Sequence, residues 1–388
     1  MNILFLWHPY QAYMPTAAPV IQRLIGLGAG EISAPDVAAE PISTLKEHIA
    51  GASVIVVDQS FLNAVNDLAP NYNWSPDRPV RSEAMGEVLE HALNSSAFKV
   101  LGLTLNDLHW ISTPGNPSFC SSDLKCFCRR FNGLIWGYEH WGQVVSGALP
   151  PVDEAWMKTA GPAVENWKTL IDAIPARFDF PWAIDPSEIR TPASRHRWDA
   201  SVVGAPYESR VEAKKSARAA GLRCAPYDRG VWFLRKRLRI QRIVTRRRDM
   251  VRESRLWTNL MERIVTRSRA NFVCGGGYRY FVRKHLEMAA VGACMASWPA
   301  AGADHYGFAD GRNVAGCREP GEFGEVARRL RADPSIAAAL GRAAQALVME
   351  RHTLGVRAAQ LLEWLRILAK GKACSGIHRD GVFSVTEN

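Results

Sequence analysis

The feature that most constrains this 388-residue chain is a strand-and-helix rhythm written twice, once on each side of the extended stretch Phe180-Pro181-Trp182-Ala183-Ile184-Asp185-Pro186. Before it, apolar runs predict strands over 2–7, 53–58, 98–104, 133–137 and 178–183, and the intervening segments 18–27, 83–94 and 153–173 predict helices. Strands that alternate with helices form a parallel sheet covered on both faces. After the proline-marked stretch the rhythm restarts. Residues 200–204 predict a strand, and Ser209-Arg210-Val211-Glu212 matches a capping box for a helix that Gly221 should close. Trp257, Leu260, Met261, Ile264 and Val265 share one helical face. A strand over 270–274 then runs into Gly275-Gly276-Gly277 and a helix that Gly292 ends, with a further strand over 293–297. Asp333-Pro334 opens a helix, and the last helix carries Leu361, Trp364, Leu365 and Leu368 on one face.

This grammar predicts an α/β chain of two doubly wound, Rossmann-like halves. The expected divisions are an N-terminal domain over 1–183, a linker over 184–197, a second domain over 198–352, a terminal helix over 353–370 and a tail over 371–388. Hydrophobic residues at 47% and charged residues at 22% supply large cores and exclude a disordered chain. The opening run Ile3-Leu4-Phe5-Leu6-Trp7 is too short for a secretory signal, and no later run reaches the ~18 apolar residues of a membrane helix, so a cytoplasmic protein is expected. The eight cysteines are then expected as free thiols. Cys120, Cys126 and Cys128 lack the paired short spacings of a zinc site, and no metal is expected.

Charge is concentrated. Between Val231 and Arg255 stand ten Lys or Arg, among them Arg235, Lys236, Arg237, Arg239, Arg242, Arg246, Arg247 and Arg248, against Asp249 and Glu253, which places +8 of the chain's +10 in that segment. Such a patch is either a solvated face or a contact for an anionic partner, an acidic membrane surface or nucleic acid. A location peripheral to the inner membrane surface is the corresponding expectation.

The glycine loop Gly275-Gly276-Gly277-Tyr278, placed between a strand and a helix, lets backbone amides approach an anion. On its own it is a weak signal, because it matches neither common phosphate-binding fingerprint. Glu287, with Arg283 and Lys284 one turn before it, is either half of an intrahelical ion pair or an acceptor for the two hydroxyls of a ribose.

Four segments in order bear a family resemblance: the 180–186 crossover; Asp199 to Gly204 with Arg210; the helix Arg283 to Gly292 containing Glu287; and the Asp310-Gly311 turn followed by His352-Thr353 with Arg357. Together they resemble the donor half of GT-B glycosyltransferases, in particular the CgeB-like group within the glycosyl transferase group 1 family. The resemblance implies a GT-B fold of two domains facing across a cleft and a metal-independent glycosyltransferase. It implies a nucleoside diphosphate sugar as co-substrate, no other cofactor, and an unidentified acceptor. Gly204, Arg210, Gly275, Gly276, Gly277, Tyr278, Arg283, Lys284 and Glu287 are the implied donor-binding residues. Many retaining members carry a second glutamate eight residues before the first; this chain has Arg279 there. Acceptor activation is expected from histidines and carboxylates beyond strand ends of the N-terminal half. His109 with Asp107 lead, His8 stands in reserve, and Glu139-His140 occupy an equivalent position. The alternatives are the same chemistry on a nucleic-acid acceptor, or a non-catalytic protein that uses this scaffold to bind an anionic polymer or membrane surface.

Overall fold

The computed structural model describes residues 2–7, 18–37, 39–65, 82–103, 124–149, 154–192, 195–245 and 250–387. Its strands are β1 (Ile3–Leu6), β2 (Ile32–Ser33), β3 (Val54–Asp58), β4 (Phe98–Leu103), β5 (Gly133–Trp136), β6 (Ala176–Asp179), β7 (Trp198–Val202), β8 (Ser268–Val273), β9 (Met295–Ser297), β10 (Ala315–Gly316), β11 (Cys374–Arg379) and β12 (Val382–Glu387). They form two separate sheets, ordered β12-β11-β6-β5-β4-β3-β1-β2 and β10-β9-β8-β7. Every pairing is parallel except the β11–β12 hairpin.

The first sheet is doubly wound because its central strands must be covered twice. All five residues of β3, Val-Ile-Val-Val-Asp, are buried, as expected for a parallel strand with helices on both faces. One face packs Leu45, Ile49, Val88, Leu89 and Trp141 into a core. The other packs Val20, Ile21 and Leu24 with Leu361, Trp364, Leu365 and Leu368. The last helix, Leu354–Leu368, therefore belongs structurally to the first lobe, where it lies against the helix Ala18–Leu27. Trp364 is fully buried, and its indole nitrogen donates to the Cys374 carbonyl at 2.9 Å.

The chain passes between the lobes twice, and the two passages are stitched together. The Ile184 amide donates to His352 O at 2.9 Å and the Leu354 amide to Ile184 O at 2.9 Å. The segment expected as a tail is instead β11 and β12, which extend the first sheet beyond β6. Asp380 and Gly381, with φ of 49° and 77°, make its turn, so an Asp-Gly hairpin signal was present in the sequence. The capping-box expectation also needs correction. The helix starts at Glu208 with Tyr207 at its N-cap, and no side chain caps it. Ser209 lies inside the helix, with its hydroxyl 3.6 Å from Cys274 Sγ.

Candidate functional site

The loop at the carboxyl end of β7 gathers several of the expected donor residues. Gly204 has φ of 109°, a conformation that favours glycine. A methyl group there would lie 2.6 Å from Arg210 Nη1 and 3.3 Å from Lys284 Cε. The glycine therefore makes room for two cationic side chains, one from the helix Glu208–Ala219 and one from the helix Arg283–Ala290. Gly276 approaches from the loop after β8, where a methyl group would lie 3.6 Å from the Tyr207 ring.

Arg210 is 5% exposed. It donates from Nη1 to Ala205 O at 3.0 Å, and its guanidinium lies 4.9 Å from the Tyr207 ring centroid. Its buried Nε has no hydrogen-bond partner among the described residues. Among the described residues no carboxylate lies within ion-pair distance of Arg210 or of Lys284. Burial lowers the Lys284 pKa; Glu287 opposes that shift and Arg210 adds to it. Two neighbouring cations, Arg210 buried and Lys284 half-buried, without an ion-paired anion among the described residues, are costly unless an anion arrives.

The neighbouring charges are already committed. Arg283 bridges Glu287 (2.6 Å) and Glu188 (2.7 Å), and Glu188 belongs to a capping box with Asp185 in the crossover. Arg283, expected at the donor, thus ties the interlobe linker to its helix. Glu287 forms the intrahelical pair through Oε1, and its Oε2 has no hydrogen-bond partner among the described residues. Both readings of Glu287 meet here, because one oxygen is occupied and the other is open.

The glycine loop departs from its expected form. Residues Gly276–Tyr278 make a 3-10 turn, Arg279 follows with φ of 56°, and the helix begins only at Arg283. The loop therefore does not open directly onto a helix N-terminus. A methyl group at Gly275 would come 2.5 Å from the Arg279 carbonyl carbon, so Gly275 is required by the turn's own tightness. Tyr278 packs against the first lobe's core, and its carbonyl accepts from Trp141 Nε1 at 2.9 Å. This places Tyr278 at an interlobe contact. Arg279, at the position of the absent glutamate, is 1% exposed, stacks 4.3 Å from the Trp298 ring centroid and donates to Pro299 O. Burial lowers its pKa to about 10.

His8, Asp107 and His109 lie outside the described residues, as does Cys120. Cys126 is exposed and Cys128 buried. Among the described residues no group of three His, Cys, Asp or Glu side chains is placed to hold a metal ion.

His140, after β5, stands in a second cluster whose centre had no place in the sequence reading. Asp179, at the end of β6, is fully buried. Its Oδ2 is 3.1 Å from His140 Nε2 and 3.0 Å from His378 Nδ1, and its Oδ1 accepts from the Tyr306 hydroxyl at 2.7 Å. Arg357 reaches His378 Nε2 at 2.6 Å and His352 Nδ1 at 3.0 Å, and His352 Nε2 is 2.8 Å from Tyr306 O. These partners assign every proton. A carboxylate only accepts and a guanidinium only donates, so His378 carries its proton on Nδ1 and His352 on Nε2, both neutral. Burial, with Arg357 next in effect, lowers their pKa values to about 4 and about 3. Burial alone would raise the Asp179 pKa, but the His140 and His378 hydrogen bonds and charges hold it far below the usual carboxylate range. For His140, burial acts downward and is outweighed by Asp179, then Glu139 and Asp304, so its pKa is raised. The His140 ring stacks on His305 of the second lobe at 3.9 Å, and Nδ1 has no hydrogen-bond partner among the described residues.

Two α/β sheets, a double crossover and a last helix returned to the first lobe match the two-domain arrangement that the resemblance to GT-B glycosyltransferases implied. Residues 237–363 match the family model described as glycosyl transferase-like. Solved structures similar to the protein include HepE of Anabaena in complex with UDP and glucose (11% identity, TM-score 0.47, covering 94% of this chain and 99% of that one). Others are sucrose-phosphate synthase of Thermosynechococcus elongatus (12%, 0.49, 96% and 100%) and AviGT4, a glycosyltransferase involved in avilamycin A biosynthesis (11%, 0.41, 96% and 98%). No curated protein matches the sequence significantly.

Proposed function

We propose that this protein transfers a sugar from a nucleoside diphosphate sugar to an acceptor hydroxyl, without a metal ion, in the manner of the CgeB-like group that its sequence resembles. The observation that carries the reading is the pair of unneutralised cations, Arg210 and Lys284, on the Gly204 loop. Glycosyl transfer passes through an oxocarbenium-like transition state while negative charge grows on the departing diphosphate. Fixed cations in a site that excludes water stabilise that charge with little reorganisation, which is the task a divalent ion would otherwise perform. A diphosphate also supplies the anion that the pair lacks. Arg210 offers a planar fork of donors for two phosphate oxygens, Lys284 a point charge beside it. The open Oε2 of Glu287, one residue short of a helical turn beyond Lys284, is available to a ribose hydroxyl.

On the acceptor side, His140 is the group proposed to take the hydroxyl proton. Asp179 holds its Nε2–H, which leaves Nδ1 as the basic nitrogen, and the raised pKa strengthens that base. The test is a panel of nucleoside diphosphates and their sugars, scored for binding by calorimetry and for slow donor hydrolysis without acceptor. Binding of at least one diphosphate with sugar release from its donor is expected. A chain that binds none of the panel contradicts the reading. Binding without release favours the non-catalytic alternative.

A further inference from the structure

The helix Tyr227–Thr245 has two apolar faces, and the second lobe covers one of them. Leu238 is buried, and Gly230 admits Leu260 of the neighbouring helix Met250–Val265, whose Cδ1 would meet a methyl group there at 2.9 Å. On the opposite side Trp232, Phe233, Ile240, Ile243 and Val244 are 54–75% exposed. They make up five of the eleven exposed large apolar side chains among the described residues. Spacings of seven to eight and eleven to twelve place them on one face two and three turns along the helix.

Cations surround that face. The helix contains Arg229, Arg235, Lys236, Arg237, Arg239 and Arg242 and a single acid, Asp228, which pairs with Lys214 at 2.5 Å. Lys236 Nζ lies 5.2 Å from the Trp232 ring centroid and the Arg229 guanidinium 5.9 Å from that of Phe233. We infer that this helix docks the protein on an anionic phospholipid surface, its apolar face entering the acyl boundary and its cations meeting the headgroups. Aromatic and aliphatic side chains on one face, flanked by Lys and Arg, are the composition of an interfacial helix. A nucleic acid would satisfy the cations but offers no partner to Ile240, Ile243 and Val244. A second copy of the same face would set six cations against six. An acidic bilayer meets both requirements at once.

The test uses the full-length protein with phosphatidylcholine vesicles, with and without phosphatidylglycerol, in sedimentation and lipid-quenched tryptophan fluorescence. Binding should require phosphatidylglycerol and weaken with salt. Ile240→Ser/Ile243→Ser/Val244→Ser should reduce it about tenfold or more. Arg235→Gln/Lys236→Gln/Arg237→Gln/Arg239→Gln should reduce it roughly fivefold per cation removed. Both variants should keep their melting temperature and their nucleoside diphosphate affinity, so this inference and the glycosyltransferase reading can fail separately. Three results overturn it: no vesicle binding; vesicle binding untouched by the apolar variant; or duplex DNA bound more tightly than vesicles by wild type and apolar variant alike.

Discussion

Two buried arginines in this molecule stand in opposite charge balance. Arg357, on the last helix, is fully buried, and its charge is answered through His378 by Asp179. Arg210, on the Gly204 loop, is nearly as buried, yet it has a carbonyl and an aromatic ring for company and a second cation beside it. The first belongs to a closed network that joins β6, the second lobe, the returning helix and the C-terminal hairpin. The second belongs to a network one anion short. Burial by itself therefore does not say whether an arginine's charge is answered; the charge balance around it does.

The largest effect that separates them is on folding. Arg357→Met leaves Asp179 buried with its cation gone, and breaking a buried pair from one side costs about 3–5 kcal/mol. A melting temperature lowered by many degrees is expected. Arg210→Met removes a cation that has no carboxylate, so stability should be unchanged or slightly higher. Thermal unfolding of the two variants side by side checks this, and equal losses would erase the distinction.

Next comes the base. Loss of a general base costs about 10² to 10⁴ in rate, and His140→Asn should show that loss in transfer while donor affinity stays at wild type. A parallel loss of activity and melting temperature would reassign His140 to the hinge network. The pH profile gives a related check. The raised pKa of His140 predicts a transfer rate that falls as pH drops through a value above the ordinary 6.5.

A third prediction concerns acid. His378 and His352 have folded pKa values near 4 and 3, below an unfolded value near 6.5. Below pH 6.5 the unfolded chain binds protons that the folded one refuses, so their contribution is complete above pH 6.5 and is lost as pH falls toward 4 and then 3. Acidification below pH 6.5 should therefore lower the melting temperature progressively. The smallest effect is that of Glu287→Gln. Loss of a charged hydrogen-bond partner costs about 1.5–3 kcal/mol, so nucleotide affinity should fall roughly tenfold, with folding preserved.

The same contrast explains what could be read from the sequence. The helix Ala18–Leu27 and the bodies of β1, β3, β4 and β5 were visible because local periodicity determines them. Arg210 was expected at the donor through the resemblance of its segment to the donor half of GT-B glycosyltransferases, and its strand, glycine and helix start are consecutive in the chain. The hinge network was not, because Asp179 is 39, 127 and 199 residues from its three partners. A carboxylate inside an apolar strand was its only local sign. The β11–β12 hairpin hid in two short strands, one with a central glycine, whose partner β6 lies nearly 200 residues earlier. Its Asp380-Gly381 turn was the readable clue. The glycine loop shows a further contrast: Gly275 is needed by its own tight turn, and the helix expected directly after the loop begins only at Arg283.

The central claim is that Arg210 and Lys284 form a cation pair that awaits a diphosphate. The most direct measurement is calorimetric titration of wild type and Arg210→Met/Lys284→Met with the tightest-binding nucleoside diphosphate of the panel, repeated as pH is raised. Removing two charge-assisted partners, each worth about 1.5–3 kcal/mol, should weaken binding by more than 100-fold, on the order of 3 kcal/mol or more, while the double variant melts no lower than wild type. The wild-type affinity should also fall at high pH, as Lys284 loses its proton below the ordinary lysine value. An affinity unchanged in the double variant and flat with pH would place the diphosphate elsewhere and contradict the account.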